Sequence, residues 1–308
     1  MPYPEVSIII LTRNGEATIG ECLKQVYAQS YTNFEVIVID SSSTDNTLDI
    51  ANKFPVQIFK INVEEFGHGK TRNLGAKFSR GKYLIYLTQD ATPFNEYWIK
   101  NLVRNFSDEE VAGVYSRNVP RPHCDPFEAR YISCGWGSTR EVKSTKEYKS
   151  YKKLVFFSNT SSCIRKDVWK MFPFDESLVQ TEDQDWSKRV LEAGYKITYD
   201  PDSVVVHSHN NSLEILFQKY FDAGAAHIQI FKNRNNVYLP LIPFFAVVST
   251  ILDVKFMFSN NYKLISIAKW VPTALLRHFV EATGFWFGLH FDMLPLSLKR
   301  KFTASGNY

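Results

Sequence analysis

Two stretches, VSIIIL at residues 6–11 and FEVIVI at residues 34–39, decide the fold of this 308-residue chain. Both are rich in β-branched residues and neither alternates apolar with polar positions, the pattern of strands buried on both faces of a parallel sheet. Between them, residues 17–29 carry Ile19, Leu23, Val26 and Tyr27 along one helical face, so the first forty residues read as one βαβ unit. Residues 46–53 form a short helix behind the N-cap residues of SSSTDNT. A strand at 56–61, a helix at 69–78 and a strand at 82–88 follow. This alternation through residue 90 predicts an α/β fold, a Rossmann-like, doubly wound, mostly parallel sheet with its functional loops at the carboxyl ends of the strands.

Further along, residues 95–106 read as a helix and 111–117 as a strand. Residues 120–153 read as a loop-rich region, and its basic stretch 139–153 as a mobile surface loop, either a solvated charged face or a contact for an anionic substrate. A helix at 183–194, short strands at 196–199 and 204–207 and a long helix at 212–233 follow. Beyond them lie two segments rich in Phe and Trp, 238–258 and 264–289.

The composition is that of a globular chain, 44% hydrophobic and 22% charged, and excludes a wholly disordered, collagenous or coiled-coil protein. A net charge of +4 is too small to mark a nucleic-acid partner. From residue 210 onward, however, ten Lys or Arg stand against five Asp or Glu. That bias, the aromatic residues and the Lys299-Arg300-Lys301 cluster predict an interfacial segment on a membrane surface, or else a dimer contact. The uncharged run 237–252 is 16 residues, short of the ~20 that span a bilayer. Four cysteines without a C-x-x-C pair, and a start without a signal-like run, predict a reduced cytoplasmic setting.

Polar clusters occur where the strands end. Thr12-Arg13-Asn14-Gly15 follows the first strand and Asp40 ends the second. Residues 66–73, FGHGKTRN, open a helix with Gly69 and two cations nearby, a diphosphate site by its chemistry. Thr88-Gln89-Asp90 ends the fourth strand with a carboxylate suited to Mg2+ or Mn2+. Thr181-Glu182-Asp183-Gln184-Asp185-Trp186 places three carboxylates in a first helical turn, which is either ordinary helix capping or a general base for an acceptor hydroxyl. His207 and His209 share one face of a strand, and either is a structural residue or a metal ligand.

Taken in order, βαβ-Asp40, H-G-K-T-R-N, Q-D-A and T-E-D-x-D-W-x-x-R resemble the family 2 glycosyltransferases, inverting enzymes of GT-A fold, over residues 5–220. The resemblance implies a nucleotide-sugar donor, a divalent metal and a GT-A domain over residues 1–210, with a helical region at 211–308. Position by position it gives Thr12, Asp40, Arg72 and Asp90 to the donor, and Arg13, Asn14, His68, Gly69 and Gln89 of the same strand-end clusters are read as further donor contacts. It gives Asp90 and His207 to the metal and Asp183 to the general base. Glu182, Asp185 and Trp186 fall to the acceptor side, and residues 120–153 to a lid over the donor. The first Asp of the family's D-x-D is Thr88 here, so metal binding rests on Asp90. F-G-H-G-K-T-R-N and T-Q-D-A resemble the rhamnosyltransferase-type members, which implies dTDP-rhamnose and a lipid-linked or growing surface glycan such as O-antigen. Two alternatives stay open: a UDP- or GDP-sugar donor on the same fold, and an inactive nucleotide-binding scaffold.

Overall fold

The computed structural model describes residues 4–145, 151–231 and 239–303. Its strands are β1 (Val6–Thr12), β2 (Phe34–Ser41), β3 (Gln57–Ile61), β4 (Tyr83–Thr88), β5 (Thr92–Pro93), β6 (Val111–Val119), β7 (Glu141–Lys143), β8 (Ser161–Arg165) and β9 (Lys196–Val206). Its helices are α1 (Ile19–Tyr27), α2 (Thr47–Ala51), α3 (His68–Phe78), α4 (Trp98–Val103), α5 (Pro126–Gly135), α6 (Tyr151–Leu154), α7 (Lys166–Met171), α8 (Glu182–Glu192), α9 (Leu213–Phe231), α10 (Ile242–Ser259), α11 (Leu264–Leu289) and α12 (Leu296–Phe302). They fall into two compact units, residues 1–121, 135–178 and 182–207 in the first, and 122–134, 179–181 and 208–308 in the second.

The first unit is built on one sheet in the order β3-β2-β1-β4-β8-β6-β9-β5, with β7 added beside β9. β3, β2, β1 and β4 run parallel, whereas β8 is antiparallel to both β4 and β6. Alternate residues of β1 go to opposite faces. Ile8 and Ile10 join Ile19, Leu23, Trp98 and Leu102 from α1 and α4, while Ile9 meets α3. A Cβ on Gly75 would lie 2.4 Å from Ile9 Cγ2, so this glycine lets α3 lie close on the sheet. With both faces covered, the strands need continuous apolar sequence, as β1, β2 and β4 have.

Three expectations change in the middle of the chain. Residues 196–206 form one eleven-residue strand, with a register shift opposite Ser116 and Arg117, instead of two short strands. Residues 126–135 are helical and 141–143 pair with β9, so 120–153 is not loop throughout. Lys143, expected in solvent, is 2% exposed and donates to the carbonyls of Lys153 (3.0 Å) and Phe156 (2.8 Å). Burial pushes its pKa down to about 8. Residues 146–150 of the expected lid lie outside the described residues.

In the second unit, α9 and α11 pack backbone to backbone through glycines. A Cβ on Gly284 would lie 2.5 Å from the Phe217 carbonyl oxygen, and one on Gly288 would lie 2.1 Å from that of Phe221. The run Leu239–Ser259 forms a 21-residue helical stretch of mean hydropathy 1.9, long and apolar enough to cross a membrane. Pro240 and Pro243 sit at its start, where proline costs a helix little, so they do not interrupt it.

Candidate active site

Parallel registration brings the strand-end clusters to one rim of the first unit. Thr12 is level with Asp40, and Leu11 with Thr88. The loops between them are fastened by side chains. Asn14, at φ 46°, accepts the Thr44 N–H on Oδ1 (2.9 Å) and donates its own N–H to Ser43 Oγ (2.9 Å). Asp40 is 1% exposed and accepts both the N–H (3.0 Å) and the hydroxyl of Ser43. The Gln89 amide oxygen accepts from the Thr12 hydroxyl and the Arg13 N–H (3.1 Å), and its nitrogen donates to the Arg13 carbonyl (3.0 Å).

Asp40 and Gln89, expected to contact the donor, hold neighbouring loops in this way. Short polar side chains at strand ends lie within reach of loop N–H groups that need acceptors. Gly69 is likewise a packing residue, because a Cβ there would lie 2.6 Å from the Asp175 carbonyl oxygen.

A cavity of about 240 Å³ opens at this rim, walled by Thr12, Arg13, His68, Arg72, Asp90 and Phe66, with Gln89 also on its lining. Asn14, Asp40 and Gly69 do not line it. The sequence reading missed Phe66 as a site residue. Its ring meets that of His68 edge-on at 5.1 Å, and an aromatic just before the glycine-rich turn was the available signal. Burial lowers the His68 pKa against the opposing pull of Glu182.

His207 Nε2 lies 3.6 Å from Asp90 Oδ1, both side chains part-exposed. The His207 backbone is anchored by its N–H on the Val119 carbonyl (3.0 Å), and Arg121 donates to the Asp90 carbonyl. A carboxylate and an imidazole beside an open cavity are a donor set that a divalent cation such as Mn2+ accepts, the remaining positions falling to phosphate and water. Thr88 Oγ1, at the missing aspartate, is buried and has no hydrogen-bond partner among the described residues. His209 belongs to the second unit.

On the cavity wall, Arg72 is 7% exposed and ion-paired through Nη1 with Glu182, itself 3% exposed. Burial alone would raise the Glu182 pKa, but Arg72 and His68 outweigh it and hold this carboxylate below its usual range. Asn159, which the sequence reading did not single out, links both carboxylates of α8. Its N–H donates to Asp183 Oδ2 (3.1 Å) and its side chain to Glu182 Oε1 (3.4 Å). Asp183 is half-buried at the start of α8 and is pushed up to about 7, first by burial and then by the charge of Glu182.

The other residues expected on the acceptor side are otherwise engaged. Glu182 is buried against Arg72, and Asp185 pairs with Arg189 (2.7 Å) one turn along. Trp186 is wholly buried, and a Cβ on Gly113 would approach its ring within 2.9 Å. It is a core residue, since the apolar face of α8 must turn to the sheet.

Residues 7–172 match the family model described as Glycosyl transferase family 2. The chain is 32% identical over 308 residues to the O-antigen chain rhamnosyltransferase RfbN of Salmonella typhimurium LT2, covering 99% of this chain and 96% of that protein. It is 31% identical to the O-antigen chain rhamnosyltransferase WbaN of Salmonella anatum, with the same coverage. Among solved structures it resembles mannosyltransferase PcManGT from Pyrobaculum calidifontis in complex with GDP-Man and Mn2+. That match has a TM-score of 0.62 and 15% identity, and covers 94% of this chain and 87% of that one.

Proposed function

As a member of glycosyltransferase family 2 with a GT-A fold, the chain is a nucleotide-sugar glycosyltransferase, and we propose that it transfers L-rhamnose from dTDP-rhamnose, with inversion, to a hydroxyl of a lipid-linked or growing surface polysaccharide. The donor is supported by likeness to two rhamnosyltransferases along nearly the whole chain. The observation that carries the chemistry is Asp183, a half-buried carboxylate with a pKa near 7, behind the cavity at the strand ends.

Breaking the anomeric C–O bond builds oxocarbenium character on the sugar and negative charge on the leaving diphosphate. Thr12, Arg13 and the Phe66 and His68 rings wall the space for base and ribose. Asp90 and His207 would hold the divalent cation, which when bound neutralises diphosphate charge. Asp183 accepts the proton of the incoming hydroxyl, and Asn159 keeps its carboxylate aimed. A single base acting on the attacking hydroxyl gives one displacement, hence inversion.

Peripheral membrane attachment is supported by the outward faces of α10 and α11, where Phe244, Ile251, Leu264 and Leu276 are 50% exposed or more. The opposite stripe of α10, with Ala246, Thr250, Asp253 and Met257, is buried, and we read this helix as lying against a bilayer by its outward apolar face. Lys299, Arg300 and Lys301 on α12 supply the basic flank. This reading favours a cytoplasmic enzyme at the inner membrane face over a homodimer through the same helices.

The test is transfer from labelled dTDP-rhamnose to membrane glycolipid, with the anomeric configuration of the product read by NMR. An inverted rhamnoside is expected. Turnover with a UDP- or GDP-sugar in place of dTDP-rhamnose refutes the donor assignment.

A further inference from the structure

The second unit has its polarity reversed. Phe244 (63%), Ile251 (60%) and Leu264 (71%) are turned outward, whereas Asp253 (0%), Arg277 (6%) and Glu281 (8%) are turned in. Burying charge is expensive, and apolar residues in such places commonly hold a fold together as well or better, so packing alone does not call for this interior.

The inward charges compensate one another. Arg277 donates to Asp125 (3.0 Å), Glu128 (3.3 Å) and Glu281 (2.8 Å). His278 stands between Asp253 (2.5 Å) and Glu281 (3.0 Å), and Arg130 pairs with Asp253. Burial works against a charged His278, yet its two carboxylate partners hold its pKa up at about 9, so it is a cation at neutral pH. With Lys219 on the same wall, four cations face the four carboxylates Asp125, Glu128, Asp253 and Glu281.

Arg130, Lys219, Arg277, His278, Glu128 and Glu281 of this cluster line a cavity of about 500 Å³, within the size range of small-molecule sites. Aromatic walls come from Phe127, Tyr131 and Tyr220. A second cavity of about 420 Å³ shares Phe127 and Arg277 with the first. Asp253 and Asp125, which are not on this wall, pair with its cations Arg130, His278 and Arg277, so the cluster as a whole is balanced in charge and draws a phosphate little. Fixed forked donors beside carboxylate acceptors instead match neighbouring hydroxyls, each of which both donates and accepts. Flat rings cover the C–H faces that such a ligand also presents.

We propose that this cavity of the second unit is a glycan-binding site that holds a neutral pyranose residue of the acceptor. The proposal rests on the reading of the substrate as a glycan. The closing experiment keeps the two apart.

Saturation-transfer NMR is run on the full chain with the methyl glycosides of rhamnose, mannose, galactose and glucose, in saturating dTDP and Mn2+ to occupy the donor cavity. At least one glycoside is expected to receive saturation. Glu128→Gln, which preserves shape and leaves Arg277 two carboxylates, is expected to weaken that binding about tenfold, the worth of one hydrogen bond to a charged group. Tyr131→Ala, at a ring 63% exposed and so harmless to folding, is expected to weaken it as well. No saturation with any of the four glycosides, or saturation unchanged in both variants, overturns the proposal. So does displacement of the glycoside by millimolar pyrophosphate, which marks an anion site. Nucleotide binding, followed in the same samples, reports on the transferase reading separately, so loss of glycoside binding with dTDP still bound rejects the cavity alone.

Discussion

Replacing Asp183 by Asn removes the general base while keeping the shape and the acceptor for the Asn159 N–H, which lies 3.1 Å from Oδ2 in the wild type. The wild-type carboxyl titrates at about 7. Its ionised form therefore falls from about nine-tenths at pH 8 to about one-tenth at pH 6, and only that form takes a proton. The wild-type kcat should then rise roughly tenfold from pH 6 to a plateau above pH 8. In Asp183→Asn, kcat at pH 8 should drop by about 10²–10⁴-fold, some 3–5 kcal/mol of barrier, and the remaining rate should be flat across this range. Donor KM should change little, because Asp183 is not on the wall of the donor cavity. The assay is the initial rate of dTDP release from dTDP-rhamnose with glycolipid-bearing membranes, from pH 5.5 to 9. A variant within tenfold of wild type, or one that keeps the acid limb, would refute Asp183 as the base and turn attention to Asp185.

Glu182→Gln should move the acid limb of kcat to lower pH, since a like charge beside Asp183 is lost and Arg72 is freed to favour the carboxylate. A limb that stays at pH 7 speaks against this coupling. The same variant should also lower the melting temperature, because breaking a buried pair costs about 3–5 kcal/mol, and differential scanning calorimetry measures the shift. Gly288→Leu should destabilise the second unit by at least 1–3 kcal/mol, roughly the range for overpacking, since even a Cβ would lie 2.1 Å from the Phe221 carbonyl oxygen. Urea unfolding followed by Trp fluorescence reports it. Phe244→Asp with Ile251→Asp should abolish flotation with anionic liposomes, and unchanged flotation would place the contact elsewhere.

The half of the sheet that begins the chain is plain in the sequence because its strands are buried on both faces and so are continuously apolar. β8 is not, although it lies in the middle of the same sheet. Ser161 and Ser162 are 1% and 0% exposed but polar, and their hydroxyls are matched across the sheet and loop by Ser116 and Asn159. Periodicity cannot reveal a strand whose burial is met by hydrogen bonds. Within the site, residue type pointed to Asp183, Asp90, His207 and Arg72. It could not tell that Asp40 and Gln89 also fasten neighbouring loops, or that the Trp186 ring turns into the core. The charged interior of the second unit was hidden for another reason. Arg277 and Asp125 lie 152 positions apart, and only folding brings them together.

The central claim is a nucleotide-sugar site at the strand ends with Asp90 and His207 holding a divalent cation. Calorimetric titration of dTDP, UDP and GDP into the wild type and Asp90→Ala, each with and without Mn2+, tests it most directly. The prediction is tight binding of dTDP over UDP and GDP that requires Mn2+ and is lost in the variant. Binding that is indifferent to Mn2+ and intact in Asp90→Ala would contradict the metal site, and no nucleotide binding under any condition would contradict the donor site itself.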